Sequence, residues 1–251
     1  MNNDASSVFY SSIDDAYPDE TPDGIKTLVF LIIGIGDFPQ TGENPLRDID
    51  VSDAILFKEK ARYYCLHAPL DYDRWKVISL IDNTDDNEKI DYNDFKYYID
   101  FVDKITQSDD RVIFYLATHG YERGNEGYGI YLGDGSHILY NTLAQLLNNI
   151  GDALDFYWAA HCSSADVINK MLNSGLDNDQ CIYLGYNTEL YDSEAYWAVN
   201  NFWSYMLSDY DMTVEYWYYH YLRPHDTDWQ LFDYYYGSYG GLILGSIYPS
   251  R

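Results

Sequence analysis

Two apolar runs in this chain end in side chains able to do covalent chemistry. "RVIFYLATHG" (111–120) places His119 just past one run, and "LDFYWAAHC" (154–162) places Cys162 just past another. A thiol becomes a nucleophile when a base takes its proton, and imidazole suits that task near neutral pH. The chemistry of such a pair is acyl transfer: attack on a carbonyl, an acyl-enzyme, then release to water or an amine. His161 adjoins Cys162 but is not the expected partner. Successive strand side chains point to opposite faces, so His161 is expected to pack or hydrogen-bond behind the thiol. His119 is the partner that strand geometry favours.

The elements that must hold these two residues are legible as patterns. Continuous apolar runs at 27–35, 76–81, 111–117, 154–160, 181–186 and 240–247 read as strands. Amphipathic stretches at 47–64, 91–105, 140–150 and 164–175 read as helices, as do 193–208 and 212–222. The Gly-rich 124–137 reads as a hairpin insertion. Non-alternating strands separated by helices predict an α/β three-layer sandwich, with a mainly parallel six-stranded sheet covered on both faces. Open α/β sheets bind ligands at the carboxyl ends of their strands. If the strands before His119 and Cys162 are neighbours, their axes lie ~4.8 Å apart. Cys162 also precedes a helix starting near Ser163 or Ser164, whose free amides are expected to lower the thiol pKa. The amides of Gly120 and Cys162 are candidates to receive an oxyanion.

Composition narrows the partners. The 251 residues suit one domain, read as an acidic flexible tail over 1–23 followed by a folded body over 24–251. A formal charge of −26 argues against nucleic acid and against anionic membrane surfaces. The longest apolar run, "LVFLIIGI", is too short to span a bilayer, and residues 1–23 carry no secretory pattern. A soluble, cytoplasmic protein is the favoured expectation, with a secreted mature form left open. Three cysteines, Cys65, Cys162 and Cys181, do not make a disulfide scaffold. "GIGDFP" (34–39) begins like a dinucleotide loop but has Pro39 where the third Gly belongs. "NTDDNEKIDYND" (83–94) has oxygen spacing like a calcium loop, with Glu88 where Gly is needed, so it is expected to cap the next helix. No cofactor is expected. The Tyr- and Trp-rich 214–239 is expected to cover the sheet. The sequence carries no signal for oligomeric state.

The two strand-end segments resemble those of the caspase-like (clan CD) cysteine peptidases, which include legumains, caspases, metacaspases, clostripain and gingipains. The "GIYL" insertion, the helix "YNTLAQLLNNI" and "CIYLGYNTELYDSEAYW" look most like the legumain branch and its archaeal and bacterial relatives. The resemblance covers roughly 25–247 and implies a cysteine endopeptidase acting on peptide or protein substrates without a cofactor. It implies Cys162 as nucleophile, His119 as general base and acid, and the Gly120 and Cys162 amides as oxyanion hole. It places Arg47 in the pocket for the residue before the cleaved bond (P1), Asn44 beside the histidine, and 186–194, with Asn187 and Glu189, on the other wall of the groove. The sequence departs from the family at Ala160, where most branches carry Glu, Asp or Gln as part of the P1 pocket, and at Ala165, where many have Gly. Arg47 favours an acidic or amide P1 side chain. Asp50 and Asp53 could instead receive Arg or Lys, although an exposed helix face is the expectation for them. A transpeptidase or ligase would use the same residues, and a non-catalytic binding scaffold on the same fold is the alternative from another class.

Overall fold

Strands here are runs of side chains apolar on both sides, because the sheet they form has helices on both faces. A computed structural model of the chain describes residues 10–15, 25–39, 46–82, 89–123, 127–176, 181–233 and 242–246. Five strands run parallel: β2 (Thr27–Ile35), β3 (Arg74–Asp82), β4 (Arg111–Ala117), β8 (Leu154–Ala160) and β9 (Ile182–Tyr186). Two antiparallel strands close the edges: β1 (Tyr10–Asp15) on β3, and β10 (Trp229–Asp233) on β9. The order across the sheet is β1-β3-β2-β4-β8-β9-β10. A small second sheet holds β5 (Gly120–Arg123), β6 (Gly127–Tyr131) and β7 (His137–Leu139), which places three strands where a hairpin was expected.

The two faces bury separate cores. One lies under α1 (Ser52–His67), α5 (Asp192–Met206) and α6 (Val214–Trp217), which runs on through a π-helical turn, Tyr218–Leu222. It is aromatic: Phe57, Trp158, Phe202, Trp203 and Trp217 lie ring to ring. Burying each large apolar side chain contributes roughly 1.5–3 kcal/mol. The other face carries α2 (Tyr92–Ile105), α3 (Tyr140–Ile150) and α4 (Ser164–Asn173) on an aliphatic core. The result is a three-layer α/β sandwich.

Several expectations need correction. Among the described residues β1 adds an edge to the expected mainly parallel sheet, which then has seven strands. Residues 10–15, expected in a tail, form β1; the rest of 1–23 lies outside the described residues. The apolar 240–247 is not a strand where it is described. Leu242 and Leu244 plug the aromatic core, while the Leu242 amide donates to the carboxylate of Glu215. The edge strand is Trp229–Asp233 instead. Helix α3 begins without a side-chain cap, and Asn141 in its first turn accepts from the next amide, of Thr142. Part of the calcium-like stretch, 83–88, lies outside the described residues, while Asp91 and Asp94 form a capping box on α2. Among the described residues no helix is long and apolar enough to cross a membrane.

Candidate active site

The register of β4 and β8 decides what meets at the sheet edge. They pair in parallel with Ala117 opposite Ala160. His119 and Cys162 each stand two residues beyond that pair, at the same level. Gly120 closes the gap between the two segments. A Cβ built on it would lie 2.0 Å from the Cys162 carbonyl oxygen and 2.9 Å from its carbon. Only a residue without a side chain allows that approach, which brings the two candidate oxyanion segments into contact.

His119 is held from two sides. Its Nε2 lies 2.6 Å from the carbonyl oxygen of Arg47, and its ring packs 4.8 Å from that of Phe38. A carbonyl only accepts, so Nε2 carries the hydrogen and Nδ1 is left as the proton-accepting nitrogen. Sequence reasoning assigned the support of this histidine to Asn44, which lies outside the described residues. It missed Phe38, which belongs to the rejected "GIGDFP". There Gly36 serves close packing: its amide donates to Asp82, and an added Cβ would lie 2.7 Å from the Ile49 carbonyl oxygen.

Cys162 is half-buried, and its sulfur is bracketed by one residue. Sγ accepts from the Leu190 amide at 3.4 Å and donates to the Leu190 carbonyl at 3.8 Å. Burial raises the thiol pKa above its ordinary value; the Leu190 amide works against this, while Glu189 and Asp192 raise it further. The expected depression by the helix is therefore overturned. Helix α4 does begin two residues on, but desolvation and the nearby carboxylates hold the thiol pKa up. The turn between is tight. Ser163 has φ 53, and its amide donates to Thr188. Ser164 is fully buried; its hydroxyl donates to Ala159 and accepts from the Tyr186 amide.

His161 packs behind the thiol. It is 2% exposed, and Nδ1 lies 3.1 Å from the Cys162 carbonyl oxygen. Burial pushes its pKa down to about 4, so the ring is neutral near pH 7. Its Nε2 is buried without a partner among the described residues.

A cavity of about 550 Å³ opens beside this pair, a size suited to a peptide side chain and its backbone. Arg47, Asp50, Ala160 and Glu189, all assigned from sequence to substrate binding, line it. Asn187 does not: its amide is tied to the Asp228 carbonyl. The wall that sequence reasoning discounted is Asp53. Expected on an exposed helix face, it is only 3% exposed and lines the cavity. Tyr115 donates to its Oδ2 and the Ala54 amide to its Oδ1. Burial pushes its pKa up to about 7, opposed by those two hydrogen bonds and helped by Asp192 and Asp50. Helix α1 starts at Ser52 rather than near 47, and Asp53 stands one turn before Phe57 on its buried face. No group of three or more His, Cys, Asp or Glu side chains stands ready to hold a metal ion among the described residues.

No protein-family model matches this chain, and no curated protein matches it. Among solved structures, it is similar to the crystal structure of the Drosophila initiator caspase Dronc. The similarity has a TM-score of 0.46 at 11% identity, covering 80% of each chain.

Proposed function

We propose that the chain is a cysteine endopeptidase that cleaves peptide bonds through a Cys162/His119 dyad. The observation that carries the reading is the register: both residues follow the ends of adjacent parallel strands by the same two positions, at the mouth of one cavity. On this reading the resting thiol is protonated. Attack on the scissile carbonyl forms the S–C bond while the thiol proton passes to His119 Nδ1. The amides of Gly120 and Cys162 receive the oxyanion. The imidazolium then protonates the leaving amine, and the neutral ring activates the water that opens the acyl-enzyme. Transfer of the acyl group to a peptide amine would use the same steps. Membership of the legumain branch rests on the segments quoted from the sequence alone.

Alkylation tests the dyad without a substrate. Iodoacetamide is expected to modify Cys162 faster than Cys65 and Cys181, and the rate should climb as pH rises toward the elevated thiol pKa. Cys65 and Cys181 are 5% and 4% exposed, so accessibility alone favours Cys162. The discriminating arm is His119→Ala, expected to slow Cys162 labelling about tenfold or more near pH 7. Equal labelling of the three cysteines, together with no effect of His119→Ala, sinks the proposal.

A further inference from the structure

The geometry points to a cationic side chain, arginine or lysine, as the P1 group this cavity receives, with the carboxylate of Asp53 as its specificity-determining partner. This rests on the peptidase reading, and it departs from what Arg47 suggested in the sequence.

Ala160 stands where the resemblance expects an acid or amide, and its methyl leaves the wall empty. Ala117, its register partner, is equally small. The Tyr115 that holds Asp53 lies two residues below Ala117 on the same face of β4, about 7 Å along the strand. Asp53 therefore supplies a carboxylate to the space that Ala117 and Ala160 leave open, below the level of the thiol. A long side chain reaches such a group; Asn and Asp are two carbons shorter than Lys and stop near the mouth.

Charge agrees. Five carboxylates line the cavity against the single guanidinium of Arg47. Arg47 is exposed, whereas Asp53 is buried. The groups that act on Asp53 are the hydrogen bonds from Tyr115 on β4 and the Ala54 amide, with the carboxylates of Asp192 on α5 and Asp50 before α1 adding like charge. A guanidinium carries five donors and satisfies a carboxylate with two of them. An acidic P1 side chain would meet like charge instead, which is how a pocket rejects a competitor. Burial already raises the Asp53 pKa to about 7, and an entering cation supplies the countercharge that ionises it.

The test uses fluorogenic peptides identical except for Arg, Lys, Asn or Asp at P1. The wild type is expected to cleave the Arg peptide at least 100-fold faster than the Asp peptide in kcat/KM. Asp53→Asn keeps an acceptor for Tyr115 and is expected to cut the Arg-over-Asn preference at least tenfold. Agmatine, an arginine analogue, provides an arm free of turnover. It should saturably alter the rate at which iodoacetamide labels wild-type Cys162, succinamate should not, and the agmatine effect should vanish in Asp53→Asn. Preference for Asn or Asp at P1, or an agmatine response absent from the wild type, overturns the inference. If no peptide is cut yet agmatine acts through Asp53, the cationic site stands and the peptidase reading falls.

Discussion

At the scale of single residues, the proposed chemistry hangs on contacts of backbone as much as of side chains. Leu190 brackets the thiol, and the Arg47 carbonyl sets the tautomer of His119. Gly120 has little freedom, because its α-carbon lies against the Cys162 carbonyl. Gly120→Ala drives a methyl into backbone that cannot rotate away, so the two segments must part. A displacement near 1 Å costs about 100-fold in catalysis. We expect Gly120→Ala to retain a native far-UV spectrum and to lose about that factor in kcat/KM; activity within threefold of the wild type would refute the role given to this contact. That His119 and Cys162 come to one edge of the sheet was legible in the sequence, because each follows an apolar run. Asp53 was not, because a carboxylate on a helix is expected to face water, although it stands one turn before Phe57 and two before Ala61 on the stripe that α1 buries. The Leu190 and Arg47 contacts were illegible for a simpler reason: backbone groups carry no sequence signature.

At the scale of elements, the central strands could be read directly and the edges could not. β2, β4, β8 and β9 are buried along their full length, which makes them continuous apolar runs. The antiparallel edges, "YSSIDD" and "WQLFD", are short and mix polar residues, a pattern shared with loops. Conversely, 242–246 is apolar because it plugs a core, with Arg111 donating to the carbonyls of Ile243 and Ser246. One small residue joins two elements at the site. β8 and β9 pair only over Phe156–Trp158, and beyond that Ser164 links Ala159 to the Tyr186 amide. Ser164→Ala leaves both backbone groups buried and unmatched. It is expected to lower unfolding free energy by about 1–3 kcal/mol, read as a fall in the urea midpoint at constant slope. An unchanged midpoint would show that the link is dispensable.

At the scale of the whole molecule, an aromatic core and a charge of −26 act on the same site. Where it is described, the Tyr- and Trp-rich region packs on one face of the sheet through Trp217 and Tyr218 and adds β10 with Trp229, while 234–239 lies outside the described residues. The excess of acid is not only a solvated surface, since five carboxylates converge on the cavity beside Cys162. Glu189 and Asp192 oppose thiolate formation in the free protein, so on the proposed reading substrate charge and nucleophile activation are linked. The account stands or falls on whether a peptide bond breaks at this edge of the sheet. The direct measurement is digestion of a mixed peptide library, with the cut sites sequenced, by the wild type and by Cys162→Ala prepared in parallel. The account predicts cuts that share one P1 class with the wild type and none with Cys162→Ala; no cleavage by either, or the same cuts by both, would contradict it.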